Sequence, residues 1–395
     1  MLFWGIYSRE VNMPLKETLV YALSRQESDL SKIKELTANF KDEDWLEEDH
    51  YGRGYLHTAK DSSVDIFNFI CQKCEKMIDA VYESGTFTTA LMCVVDSSCA
   101  NKKTKIQQLL KHGAKIEVYH DNQPVNPFGC YNITQGVITV PGIFEVFKIL
   151  IERYRQEIDQ IANQDIKHQA QIRFKEYLEL AWVKALHDKQ VDRVKYFLEE
   201  HQYEVNAPLH GITKKYKKFP EGKIALHLAA GESYDQDVLE LLLANNADIN
   251  ASYQCALLKP LYGTLTITPL LDAVLHANND AVERLLSFQG IDVNKGNPIY
   301  YASMSTNLKS VQLLLQASVV LDQKSGSQQR TPLEVIKYLI TEYTGKSSRK
   351  KYLTNNATGG LTLIQLKENA AKLRIIKTEI EQSSRPQPRI TSNPV

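Results

Sequence analysis

The chain has 395 residues, 43% of them hydrophobic and 24% charged, and its 47 basic side chains are balanced by 47 acidic ones. A zero net charge excludes the global basic excess that draws a protein to nucleic acid or to an acidic membrane surface. The length exceeds what one compact core usually holds, so the chain reads either as two or three globular domains or as one extended repeat array.

Met1 to Tyr7 are mostly apolar but have no basic flank and no small-residue cleavage site, too little for a signal peptide, and Met13 is an equally good start. No stretch approaches the roughly 18 apolar residues of a membrane-spanning helix. A first helical candidate runs from Thr18-Leu19 to Leu36. A clearer one is Gly54-Tyr55-Leu56-His57-Thr58-Ala59 with Ile66 and Phe69-Ile70. Thr89-Ala90-Leu91 follows, with Ile106, Leu109-Leu110 and the exit Lys111-His112-Gly113-Ala114, and another candidate spans Val137 to Ile151. Ile149 to Ala185 lacks Gly and Pro and is rich in Glu, Gln, Lys and Ile, which predicts one or two long helices.

The second half repeats itself more openly. Leu180 to Asn206 opens it with Val194, Phe197-Leu198 and Glu204-Val205-Asn206. Next come Ile224-Ala225-Leu226-His227-Leu228-Ala229-Ala230, then Val238-Leu239-Glu240-Leu241-Leu242-Leu243, then Asn246-Ala247-Asp248-Ile249-Asn250. Further copies begin at Thr268-Pro269-Leu270, at Asn297-Pro298-Ile299 and at Thr331-Pro332-Leu333, so that start-to-start spacings are 44, 29 and 34 residues. Thr before Pro opens a helix well: the hydroxyl caps unpaired amides, and Pro at the first position gives up no bond. Small Ala229, Ala273 and Ala302 let two helices approach closely, while the leucine pairs recur at helical spacing and need a neighbouring unit to cover them. Beyond the last copy, Leu363, Leu366, Ala370, Leu373, Ile376 and Ile380 predict a C-terminal capping helix, with a short coiled-coil contact as the alternative.

The LHxA, TPL and ADxN motifs, at a spacing near the roughly 33 residues of one ankyrin unit, resemble the ankyrin-repeat family. The resemblance is clear over Leu178 to Asn356 and weaker over Leu15 to Glu157, with about nine units in all, four of them degenerate. It implies a solenoid of stacked helix pairs with hairpin finger loops along one edge, expected as an all-α fold with a degenerate first half. The expected organisation is a degenerate array over 15–157, a helical connector over 158–177 and a second array over 178–356. A capping helix over 357–382 and a disordered tail over 383–395 complete it.

The resemblance implies binding of protein partners through the fingers and the concave helical face. Two fingers are long: 18 residues separate Asn206 from Ile224, and 18 separate Asn250 from Thr268, against 9 from Asp322 to Thr331. They carry Tyr216, Phe219, Tyr253, Leu257, Leu258, Leu261 and Tyr262 amid Lys214, Lys215, Lys217 and Lys218. Aromatic and aliphatic groups mixed with cations on projecting loops are what interface anchors look like, and Tyr216, Lys217, Phe219, Tyr253, Leu261 and Tyr262 are the expected partner-binding residues. The competing account is that the two extensions pack on each other as a local sheet and hide their apolar groups.

Other chemistry reads weakly. Cys71 and Cys74 have CxxC spacing, but on a helical segment without a second ligand pair. The six cysteines, Cys71, Cys74, Cys93, Cys99, Cys130 and Cys255, read as reduced thiols in a cytosolic setting. Gly345-Lys346-Ser347 lacks the earlier glycine of a phosphate loop, since Ile340 stands there. Lys214 to Lys218 and Arg349 to Lys351 read as solvated basic loops, and Asn132-Ile-Thr134 and Asn356-Ala-Thr358 as idle glycosylation acceptors. His57 and His227 hold the family's structural histidine position. No cofactor, metal or nucleic acid is expected. The leading expectation is a monomeric cytoplasmic adaptor or inhibitor that binds a protein without turnover, in style similar to ankyrin proteins that intracellular bacteria deliver into host cells. The alternative is an enzyme with Cys93 or Cys130 beside His112 or His120 in the first half, targeted by the array.

Overall fold

The computed structural model describes residues 15–24, 29–48, 53–83, 87–121, 123–129, 142–209, 219–256, 264–344 and 363–384. These residues are mostly helical, but three two-stranded antiparallel hairpins interrupt the helices, so the all-α expectation needs amending. The chain divides into two compact units, Met1–Leu178 and Glu179–Val395.

The first unit contains α1 (Leu15–Ser24), α2 (Leu30–Leu36), α3 (Tyr55–Thr58) and α4 (Val64–Lys73), then the hairpin of β1 (Tyr82–Glu83) and β2 (Phe87–Thr88). After it come α5 (Ala90–Asp96), α6 (Lys102–Lys111), the hairpin of β3 (Val118–His120) and β4 (Gln123–Val125), α7 (Ile143–Gln160) and α8 (Gln164–His187). Residues of α8 up to Leu178 belong to this unit.

Helices α1, α3 and α5 are successive neighbours in one row, and α2, α4, α6 and α7 in another, with α1 packed on α2, α3 on α4 and α5 on α6. The helices start where hydroxyls cap them: Thr89 accepts from the Met92 N–H at 3.3 Å, and Ser63 from the Ile66 N–H at 3.4 Å. Between the rows lie the buried side chains of Leu56, Ile66, Phe67, Ile70, Leu91, Val94, Ile106 and Leu109. A polar clamp ties the entry of the β3–β4 hairpin to the long helices. The Glu117 carboxylate accepts from Arg173 Nε at 2.9 Å and Nη2 at 2.6 Å, and from the Tyr154 hydroxyl at 2.7 Å.

The second unit holds the rest of α8, then α9 (Val191–Glu199), α10 (Ala225–Ala230) and α11 (Gln236–Ala244). The hairpin of β5 (Tyr253–Ala256) and β6 (Thr264–Ile267) follows. It continues with α12 (Pro269–Leu275), α13 (Asn279–Leu286), α14 (Pro298–Met304), α15 (Leu308–Gln316), α16 (Pro332–Thr344) and α17 (Leu363–Ser383). Again the helices pair, α10 with α11, α12 with α13, α14 with α15 and α16 with α17, while α10, α12, α14 and α16 contact one another in series. Thr268 caps α12 by accepting from the Leu271 N–H at 3.2 Å, with Pro269 at the first helical position. Thr331 and Glu334 cap α16 reciprocally, at 3.3 and 2.8 Å.

The exit asparagines form a ladder between successive units of this array. Asn206 accepts from the Asp248 N–H at 2.7 Å and donates to the Asn246 carbonyl at 3.0 Å. Asn250 does the same with the Asp292 N–H at 2.8 Å and the Gly290 carbonyl at 2.7 Å, and Asn294 accepts from the Val320 N–H at 2.7 Å. Each rung satisfies backbone groups left over by a turn, which is why Asn recurs there.

At the C-terminal end, Ala370, Leu373, Ile376 and Ile380 of α17 are buried, and α17 packs on α15 and α16. The side chains of Leu363 and Leu366 lie outside the described residues, as do the tail 385–395, Gly345-Lys346-Ser347, Arg349 to Lys351, both glycosylation motifs and the segment 1–14. Leu242 of α11 is fully buried. Leu242→Ala is expected to lower stability by about 3 kcal/mol, for the lost transfer energy plus the cavity. Because each helix pair is held by its neighbours, the denaturant midpoint of the whole unit shifts, rather than one probe alone.

Candidate partner-binding fingers

The two extended loops rise from one buried polar base. In the first loop the chain leaves through Leu209, whose N–H donates to the Lys223 carbonyl at 2.7 Å, and returns through Phe219 and Pro220. Tyr216 and Lys217 lie outside the described residues, with Lys214, Lys215 and Lys218. Phe219 is half-buried, with the Lys223 ammonium 6.0 Å from its ring centroid.

The second loop is a hairpin in its own right, with Tyr253 opposite Ile267 and Ala256 opposite Thr264. The antiparallel pairing therefore joins the two arms of one finger. Its tip, with Leu257, Leu258, Leu261 and Tyr262, lies outside the described residues. Strand alternation turns Tyr253, Leu265 and Ile267 inward and leaves Gln254 and Thr264 exposed.

Tyr253 was expected as an exposed anchor, and that placement is corrected: it is only 6% exposed. Its hydroxyl donates to Asp272 Oδ2 at 3.3 Å, its ring lies 4.9 Å from that of His227, and Lys223 sits 5.6 Å from its centroid. An amphipathic side chain at a strand's foot finds an acceptor below it and turns in.

Asp272 is the centre of this base. It is 2% exposed, with Lys223 Nζ 3.5 Å from Oδ2 and His276 Nδ1 3.2 Å from Oδ1. Burial alone pushes its carboxyl up, but the hydrogen bond from His276 and the charge of Lys223 outweigh that and hold it below the ordinary range. His276 is raised in return, first by its hydrogen bond to Asp272. Gly231 packs so closely on this pair that a Cβ there would meet the Asp272 carboxylate and the His276 ring at 3.0 Å.

His227 is completely buried beside the base. Its Nδ1 accepts from the Ile224 N–H at 3.2 Å, replacing the side-chain cap that Ile224 does not supply to α10, and its Nε2 lies 3.2 Å from the Ile267 carbonyl. An acceptor at Nδ1 and a carbonyl opposite Nε2 define a neutral ring with the proton on Nε2. Burial lowers its pKa to about 4. The first unit holds a counterpart: the ring of His57 lies 5.8 Å from that of Tyr82, at the foot of the β1–β2 hairpin.

Lys223, Asp272 and His276 escaped the sequence reading. Lys223 looks like one more lysine of a basic loop, and its partner is 49 positions away on another helix; the one local signal is an acid in the first turn of α12, where α10 and α14 have none.

The thiols behave as structural groups. Burial pushes Cys71 and Cys74 up to about 12 and Cys93 up to about 11, so each stays protonated near neutrality, opposite to what a nucleophile or metal ligand needs. His112 is engaged by Glu75 at 2.9 Å and Asn68 at 3.3 Å. His120 lies 3.7 Å from Asp121, and Cys130 is outside the described residues. Among the described residues no group of three His, Cys, Asp or Glu side chains is arranged to hold a metal, and no helix is long and apolar enough to cross a membrane.

The family model described as Ankyrin repeat matches residues 221–253, the stretch from Glu221 through α10 and α11 to Tyr253. This match supports an ankyrin-repeat family and, with it, a general role in protein–protein interaction. A search of curated proteins finds no match to the chain.

Proposed function

We propose that this protein works by binding rather than turnover, as an ankyrin solenoid that presents two long fingers to a partner protein. The observation that carries this reading is the β5–β6 hairpin: its foot is fixed by Tyr253, Leu265 and Ile267, and the segment joining its strands carries Leu257, Leu258, Leu261 and Tyr262 in its sequence. A rigid foot reduces the ordering cost of docking, so Leu261 and Tyr262 act as anchors, with Tyr216 and Lys217 on the neighbouring finger. The series of helix pairs in the second unit supports the solenoid. Buried thiols with raised pKa suit a reducing cytoplasm, where the protein acts as a monomer.

The buried foot dictates how to test this. Trimming the whole of 251–267 would remove Tyr253 and Ile267 and damage the fold, whereas replacing 257–263 by an Asn-Gly turn and shortening 211–218 leaves the base intact. Affinity capture from lysate with the intact and tip-trimmed chains, at matched helicity and melting, is expected to lose a specific partner on trimming. A partner retained by the trimmed chain moves the site to the helical face, and turnover of a substrate by the intact chain overturns the binding reading.

A further inference from the structure

The two long fingers stand on one oxygen atom. Asp272 Oδ2, in the first turn of α12, holds the Lys223 ammonium at 3.5 Å and accepts from the Tyr253 hydroxyl at 3.3 Å, while His276 occupies Oδ1 at 3.2 Å. Lys223 closes the first finger: its carbonyl accepts from the Leu209 N–H at 2.7 Å, and its own N–H donates to the Pro220 carbonyl at 3.1 Å. Tyr253 begins the second finger, as the first residue of β5. Each finger therefore ends in a side chain that needs the same acceptor.

The two feet also touch directly. The Lys223 ammonium lies 6.0 Å from the ring centroid of Phe219, in the returning arm of the first finger, and 5.6 Å from that of Tyr253. Gly222, at φ +86°, carries the first finger so close to the second that a Cβ there would lie 3.5 Å from the Tyr253 Cβ and 3.6 Å from the Ser252 carbonyl oxygen. Lifting the first foot alone strips Asp272 of the Lys223 charge while the carboxylate is still covered by Tyr253. Lifting the second alone removes the ring and hydroxyl that shelter the pair, and water entering there weakens the attraction that holds Lys223. Both half-open states are thus disfavoured, which is the condition for two segments to open together.

We propose that the two fingers form one two-pronged element that closes and opens as a unit, with Lys223 as the residue that positions both prongs. This deepens the binding reading and rests on it for its biological use: a partner seated on one finger fixes the other, so the second contact carries less ordering cost. The shared foot itself is a property of the unbound chain.

The test is native-state hydrogen exchange of the full-length chain at a series of low denaturant concentrations. It is read on the Leu209 and Lys223 amides of the first finger and on amides of 253–256 and 264–267 in the second. The two sets are expected to share one opening equilibrium, within about threefold, and one denaturant slope, and to exchange faster than amides of α14 and α15. In Lys223→Met, checked for native helicity, both sets are expected to accelerate by the same factor. Tyr253→Phe removes a hydroxyl from the second finger only, yet the Leu209 amide is expected to open about tenfold more often, the worth of a hydrogen bond to a charged acceptor. A bond affects an opening only if that opening breaks it, so a purely local role of Tyr253 would not produce this response. Phe219→Ala gives the reciprocal reading, with the hairpin amides expected to accelerate about threefold. Unequal openings in the native chain or in Lys223→Met, a Leu209 amide unchanged by Tyr253→Phe, or hairpin amides unchanged by Phe219→Ala each overturn the shared unit. So does exchange of both fingers at the rate of α14 and α15, which would mean that they open only with the whole array. If the shared opening is found but tip trimming leaves partner capture unchanged, the binding reading fails while the shared foot stands.

Discussion

Asp272→Ala is expected to destabilise the second unit by about 3–5 kcal/mol, because it strands the buried Lys223 ammonium and removes the acceptor of the Tyr253 hydroxyl together. The attraction in such a pair roughly offsets the cost of taking both charges out of water, so the penalty arises from leaving one charge behind rather than from losing a strong bond. That distinction is measurable. The double replacement Asp272→Leu with Lys223→Met should recover most of the loss in denaturant unfolding, whereas Asp272→Ala alone should not. The single variant should also loosen β5, seen as faster exchange of the Tyr253 amide. A cost well below 1 kcal/mol for Asp272→Ala would mean that Lys223 reaches water and that the base is not a buried cluster.

The second large effect belongs to the first unit. Glu117→Ala removes four hydrogen bonds at once: two from Arg173, one from the Tyr154 hydroxyl and one from the Tyr119 hydroxyl. Arg173 cannot shed its charge, which the bond to Glu117 stabilises further, so the partly buried guanidinium loses both carboxylate bonds and keeps the one to the Tyr119 hydroxyl. The expected loss is about 3–5 kcal/mol. Because the Glu117 side chain is only 5% exposed, raising the salt concentration should change the loss little, unlike that of a surface pair. Glu117→Gln keeps the shape and part of the hydrogen bonding and should cost less than Glu117→Ala. Equal costs for the two would show that charge is irrelevant at this position.

The elements legible in the sequence are those set by residues within a turn or two of each other. Thr89, Thr268 and Thr331 mark helix starts because a hydroxyl reaches the amide three residues on, whatever surrounds it. The leucines of α11 and the face Ala370, Leu373, Ile376 and Ile380 declare themselves by period alone, since a stripe three or four residues apart has to be covered by something. The asparagines of the exit ladder were visible as recurring letters, though the backbone groups they serve were not.

The fingers show where this kind of reading stops. Tyr253 sits in a loop rich in exposed-looking aromatics, and nothing within a few positions says that its hydroxyl will find Asp272, 19 residues away on the next helix. Lys223 follows a run of lysines and shares their look, yet it is buried, because a carboxylate 49 positions on makes burial tolerable. The pairing of β5 with β6 within the second finger is hidden from the sequence for the same reason. Strand pairing depends on which backbone groups end up side by side, and the two arms of one finger close a far shorter loop than two successive fingers would.

Local chemistry, written in hydroxyl caps, leucine periods and repeated LHxA and ADxN motifs, was enough to determine that this chain forms stacked helix pairs with loops between them. Only the tertiary structure decided which loop residues face inward, which lysine is buried and which nitrogen of His227 carries its proton. Those outcomes depend on distances between residues tens of positions apart, and electrostatic and hydrogen-bond energies depend on distance and burial, which sequence separation does not encode.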